Sequence, residues 1–200
     1  MCYVTELDIP FEPIMGPEVK ETIFDKAIQG TSARLEGPFP VYGANIDKRI
    51  RKLIENLGYE ILYAEGYQSQ AFSGSIDVHK DGEYIHKDRA KLNFTWGSPE
   101  TWLDFYEVID ESKVNQVYMP MGRIEHPELK IHHYETDSSN LDLKYTYKNN
   151  NMWYLARVHK FHGSRNEGSL PRKTMSIIIG KDNKWIGWDE ANEAFKDYTL

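Results

Sequence analysis

Gly74-Ser75-Ile76-Asp77-Val78-His79-Lys80-Asp81-Gly82 is the stretch from which the rest of the chain is read. Its alternation predicts a strand from Gly74 to His79 that ends by presenting a histidine and an aspartate two positions apart. Side chains two apart on a strand point the same way. His79 and Asp81 therefore project together, with Lys80 turned to the other face. An imidazole and a carboxylate on one side of a strand end are two of the three ligands of a two-histidine, one-carboxylate metal site. His162, in Phe161-His162-Gly163-Ser164-Arg165-Asn166, is the candidate for the third.

Working outward, the clearest helix spans about Ile46 to Leu57. Ile46, Ile50, Leu53, Ile54 and Leu57 form one apolar stripe at helical spacing, with Asn45 placed to cap the start and Gly58 to end it. A short helix is expected from Pro17 to about Ala27, and the first 13 residues alternate loosely enough to hold a strand. After Gly58 the period changes. Strands are predicted at Tyr59–Ala64, Gly74–His79, Ala90–Trp96, Trp102–Val108, Lys130–Tyr134, Trp153–Val158 and Lys173–Ile179, with a closing helix near Trp188–Phe195. Many short strands separated by Gly, Pro, Asn and Ser clusters predict a sandwich, barrel or jelly roll. The chain reads as a single domain over 1–200: N-terminal helices to about residue 58, a β core over about 59–180, and a C-terminal helix over about 188–196.

Composition narrows the function. The chain has 200 residues, is 13% aromatic, and carries a net charge of −7 spread along its length. A β core of ordinary size fits this better than disorder. An acidic chain is a poor non-specific ligand for phosphate backbones. The local cluster Lys48, Arg49, Arg51 and Lys52 reads as a solvated helix face, so general nucleic-acid binding is not expected. Cys2 is the one cysteine, which excludes an internal disulfide and a cysteine-based zinc site. No apolar run approaches the roughly 20 residues needed to cross a bilayer. A cytoplasmic protein without membrane contact is the expectation.

The metal-site reading has competitors within the chain. His86-Lys87-Asp88 is a second His-x-Asp, in a charged stretch that reads as a loop. His159 competes with His162 for the third ligand, while His126, His132 and His133 read as surface or core histidines. Arg172 opens a strand whose face it shares with Thr174. A guanidinium grips a carboxylate through two parallel hydrogen bonds, and an adjacent hydroxyl adds a third, which suits the far end of a dicarboxylic acid chelating the metal. Ligand type alone leaves iron and zinc both open.

Taken together, His79-Lys80-Asp81, Lys91-Leu92-Asn93-Phe94, Trp102-Leu103-Asp104-Phe105-Tyr106, His162-Gly163-Ser164-Arg165-Asn166 and Pro171-Arg172-Lys173-Thr174 resemble the 2-oxoglutarate/Fe(II)-dependent oxygenase superfamily, in particular its small single-domain members. The resemblance covers roughly Gly74 to Ile179. It implies a mainly β fold with flanking helices, built on a double-stranded β-helix (a cupin-like jelly roll). It implies that His79, Asp81 and His162 bind Fe(II), that Arg172 and Thr174 anchor 2-oxoglutarate, and that Asn93 faces the co-substrate. Tyr106 reads as a core tyrosine. The implied chemistry is hydroxylation of a substrate that the motifs leave open, small molecule or macromolecule. The region from Met119 to Asn151 fits no pattern of the superfamily and suits a substrate-facing insertion. Two other readings stand beside this one: a non-catalytic jelly-roll binding module using Trp96, Trp102, Trp153, Trp185 and Trp188, and a cupin-like metalloenzyme without 2-oxoglutarate.

Overall fold

The computed structural model describes residues 2–13, 35–40, 46–75, 78–82, 88–118, 132–148 and 151–200. In chain order the strands are β1 (Val4–Leu7), β2 (Leu35–Pro40), β3 (Glu60–Ser69), β4 (Gly74–Ser75), β5 (His79–Asp81), β6 (Lys91–Gly97), β7 (Thr101–Val108), β8 (Asn115–Tyr118), β9 (His132–Glu135), β10 (Leu141–Lys148), β11 (Trp153–Ala156), β12 (Phe161–Asn166), β13 (Arg172–Lys181) and β14 (Lys184–Trp185). Helix α1 is Lys48–Asn56 and α2 is Trp188–Ala194.

Eight of these strands wind as a jelly roll. One antiparallel sheet has the order β3-β13-β6-β11 at its centre; the other runs β5-β12-β7-β10. Numbered one to eight along the chain, the core strands pair as 1-8-3-6 and 2-7-4-5, the doubly wound order of a double-stranded β-helix. The fold is thus mainly β with flanking helices. Both sheets are extended at their edges: β1 and β2 flank the first, and the β8–β9 hairpin continues the second beyond β5. The first 58 residues contribute β1, within the stretch read as able to hold a strand, and β2 to the first sheet, as well as α1. β9 and β10 fall within the Met119–Asn151 stretch, whose sequence fits no superfamily pattern.

The two faces of the first sheet differ in a way that positions the site. Leu92, Phe94, Met175 and Ile177 share one face and pack in the apolar core with Ile50 and Ile54 of α1 and Trp188 and Ala191 of α2. The alternating residues Lys91, Asn93, Thr95, Arg172, Thr174 and Ser176 are all buried as well, yet polar. A β sandwich ordinarily fills its interior with apolar side chains. Here the helices cover the oily face, and the interior between the sheets is walled on this side by hydroxyls, amides and charges.

Helix α1 keeps the predicted stripe, with Ile50, Leu53 and Ile54 buried. Its cap is Asp47 rather than Asn45: the Asp47 carboxylate accepts the Arg49 backbone N–H at 2.8 Å. Asn45 and the predicted Pro17–Ala27 helix lie outside the described residues. Gly58 ends the helix with φ of +84°, the left-handed conformation that glycine adopts without a Cβ penalty.

Gly97 has a different reason to be glycine. It closes β6 with φ of +100°, and a Cβ there would lie 2.2 Å from the Pro171 carbonyl oxygen. It also sits opposite Arg172 in the β6–β13 register. Gly97→Ala is expected to lower stability by about 3 kcal/mol or more, from backbone strain plus a clash with rigid main chain. Thermal unfolding measures this directly.

Candidate metal and co-substrate site

The six residues singled out for metal and co-substrate converge. His79, Asp81, His162, Arg172, Thr174 and Asn93 line one cavity, which encloses about 600 Å³ including its mouth. Its wall on the second sheet is His79 and Asp81 of β5 and His162 of β12, and the wall on the first sheet is Asn93 of β6 and Arg172 and Thr174 of β13.

Strand alternation works on β5 as the sequence predicts. His79 and Asp81 face the cavity, while Lys80 turns away, its ammonium 5.0 Å from the Tyr134 ring and 5.5 Å from that of Phe161. β5 is held at both edges: on one, His79 pairs with His162 in β12 and Asp81 donates its N–H to the Val158 carbonyl at 2.9 Å, and on the other β5 pairs with β9.

Asp81 is fully ionised in spite of its surroundings. Burial works against its charge, but the Lys91 ammonium, 2.7 Å from Oδ2, and the imidazoles of His133 and His79, 2.9 and 3.6 Å from Oδ1, hold the carboxyl well below the usual carboxylate range. Lys91 bridges from Asp81 to Glu65, whose Oε1 it meets at 2.8 Å. Burial disfavours the ammonium, but the two carboxylates outweigh it and raise its pKa. With Oδ2 bound to Lys91, Asp81 presents only Oδ1 to the histidines, and His133 Nε2 meets it at 2.9 Å.

His162 carries the second-sphere arrangement of a metal-binding imidazole. Its Nδ1 lies 2.8 Å from the Lys160 carbonyl. A carbonyl only accepts, so Nδ1 bears the proton and Nε2 keeps its lone pair. Metal-bound histidines are oriented by such a bond at the other nitrogen. Burial, with help from the nearby His79, pushes the His162 pKa down to about 3. In the metal-free protein the unfolded chain then binds a proton below about pH 6.5 that the folded chain refuses. Stability is expected to fall as pH drops from about 6.5 toward 3, by up to about 1.4 kcal/mol per pH unit. His162→Gln should flatten that limb of a plot of Tm against pH.

Arg172 is a buried cation awaiting an anion. It is 4% exposed, and its Nε has no hydrogen-bond partner. Burial lowers its pKa, and the Tyr154 hydroxyl offsets part of that shift. Among the described residues no carboxylate pairs with it. Thr174 beside it joins a hydroxyl chain: Thr174 Oγ1 to Thr95 Oγ1 at 3.1 Å, and Thr95 Oγ1 to the Tyr154 hydroxyl at 3.0 Å. Asn93 accepts the Ser176 hydroxyl at 2.6 Å through Oδ1, so its amide is partly spent on structure. The loop that delivers Arg172 is fixed by Asn166, whose amide donates to the Gln70 and Leu170 carbonyls at 2.8 and 2.9 Å and whose Oδ1 accepts the Gly168 N–H at 3.1 Å.

The competing residues have other places. Asp88 binds the Arg157 guanidinium and accepts the Trp188 N–H through its carbonyl. His86 lies outside the described residues. His159 is half-buried beside Gly82 and is not among the cavity's lining residues. Tyr106 is half-buried and also off the cavity wall.

His133 is the residue the sequence reading missed. It stands directly opposite Asp81 in the β5–β9 register. Among the described residues, the donor atoms of His79, Asp81 and His133 form a group lying within 4.8 Å of one another; His162, the expected third ligand, lines the cavity but is not in that group, and His133 is in the group but not on the cavity lining. The His79 ring stacks on His133 with centroids 4.6 Å apart and meets His162 at 4.7 Å. The signal in the sequence was parity: a strand near Lys130–Tyr134 was legible, but which strand it would pair with, and in what register, was not.

No family model matches the sequence, and no curated protein matches it either. Solved structures do. HygX from Streptomyces hygroscopicus, with nickel, 2-oxoglutarate and hygromycin B bound, is 12% identical over 86% of this chain and 82% of that one, at a TM-score of 0.41. A non-heme monooxygenase, ThoJ, in complex with nickel, is 12% identical over 90% and 75%, at 0.38. Oxalate oxidase with the substrate analogue glycolate is 10% identical over 91% and 79%, at 0.37. Likenesses this distant transfer no residue roles, and the functional argument rests on the cavity itself.

Among the described residues no helix is long and apolar enough to cross a membrane.

Proposed function

We propose that this protein is an Fe(II)- and 2-oxoglutarate-dependent oxygenase. The observation that carries the reading is that one cavity joins a histidine–carboxylate–histidine set on β5 and β12 to a buried, anion-seeking Arg172 on β13. Charge supports it. Asp81, Lys91 and Arg172 line the cavity and Glu65 stands behind Lys91, so this buried set of two acids and two bases is neutral when the histidines are neutral. One divalent cation and one dicarboxylate add a second neutral pair, whereas either alone leaves two uncompensated charges in a low-dielectric interior.

His79, Asp81 and His162 would hold the iron, whose octahedral preference leaves the remaining positions for co-substrate and dioxygen. Bound there with 2-oxoglutarate, it supplies a coupled oxidation in which one atom of dioxygen enters succinate as carbon dioxide leaves, and the other enters a substrate C–H bond as a hydroxyl. The protein's residues do the positioning. Lys91 restrains Asp81 to one oxygen. The Lys160 carbonyl fixes the His162 tautomer. Arg172 and Thr174 receive the distal carboxylate. No side chain is required as a general base.

The binding-module alternative expects exposed aromatic surface. Of its five tryptophans, Trp96, Trp153, Trp185 and Trp188 are each 9% exposed or less and Trp102 is half-buried, which weakens it. The deciding experiment is an anaerobic titration with Fe(II) and then 2-oxoglutarate, watched for the visible charge-transfer band of the chelate. The band, followed by succinate release in air once a substrate is present, is the expected result. Iron uptake without the band favours a cupin-like enzyme that does not use a keto acid, and absence of iron uptake leaves the binding module.

A further inference from the structure

We propose that His133 is a fourth protein ligand of the metal site. The inference rests on the oxygenase reading and concerns a residue outside the three-ligand set. His133 reaches the site on the β8–β9 hairpin, inserted between the fourth and fifth core strands and paired to the free edge of β5.

His133 offers its donor atom at ligand spacing from its neighbours. In an octahedron with metal–ligand bonds of about 2.1 Å, adjacent donor atoms lie about 3 Å apart. His133 Nε2 is 2.9 Å from Asp81 Oδ1, and one donor atom each from His79, Asp81 and His133 lie within 4.8 Å of one another. His133 is also well covered, its side chain 12% exposed, so it is committed to this spot rather than sampling solvent.

Four protein ligands would leave two of six positions, the number a chelating keto acid fills, so His133 and the co-substrate can be held together.

The test uses the full-length protein loaded anaerobically with Co(II) as an oxygen-stable probe. X-ray absorption at the cobalt edge counts imidazoles, and calorimetry measures 2-oxoglutarate binding separately. The wild type should show three imidazoles. His133→Ala should show two and bind Co(II) about tenfold or more weakly. Two imidazoles in the wild type, unchanged in His133→Ala, would overturn the proposal while leaving the oxygenase reading in place. Three imidazoles with no 2-oxoglutarate binding would sink the oxygenase reading and leave His133 as a ligand of a metal site that uses no keto acid.

Discussion

His79→Ala is expected to abolish Fe(II) binding at micromolar metal. Loss of an outer-shell partner alone typically weakens a metal site about 10–100-fold, and removal of a direct ligand should exceed that. His79 is the cleaner position to test, since its side chain is 28% exposed and its loss leaves no buried charge behind. Asp81→Ala should have the same effect on the metal, but it strips Lys91 of one of two buried counter-charges, and breaking a buried pair costs about 3–5 kcal/mol. Circular dichroism must therefore accompany that variant. His86→Ala should retain iron. The opposite pattern, iron lost with His86 and kept without His79, would move the site to the second His-x-Asp, against the commitment of Asp88 to Arg157.

Arg172→Met should separate function from stability by sign. A buried charge-assisted pair lost at a binding site costs about 2–5 kcal/mol, so 2-oxoglutarate affinity should fall at least about thirty-fold. Metal binding should persist, because Arg172 offers no donor to it. Folding stability should stay level or rise, because an unpaired buried guanidinium is replaced by an apolar side chain of similar length. A structural arginine would behave in the reverse way, with stability lost and the co-substrate titration unchanged. Calorimetric titration and Tm on the same sample distinguish the two.

How far the site was legible in the sequence follows from which interactions are local. The orientation of His79 and Asp81 against Lys80 needs only the two-residue period of a strand. The Arg172–Thr174 pair rests on the same rule. By contrast, β12 is rich in Gly, Ser, Arg and Asn and has little strand propensity of its own; it is a strand because β5 and β7 pair with it from both sides. β10 was likewise not predicted, because Leu141–Lys148 is an exposed edge strand with a single buried side chain in its last turn of alternation, Tyr147. The aspartates divide in the same manner: nothing local distinguishes Asp81, held beside Lys91, from Asp88, taken by an arginine 69 residues away.

By itself the sequence determined the β-rich class, the helical stripe of α1 and the side-chain parity that aims each ligand on its own strand, because those depend on backbone periods a few residues long. Tertiary structure alone decided that the polar face of the first sheet would turn inward, that Lys91 would stand behind Asp81, and that His133 would arrive opposite Asp81. Each of these is set by strand register and by which face the helices cover, and register is a property of pairs of segments distant in the chain.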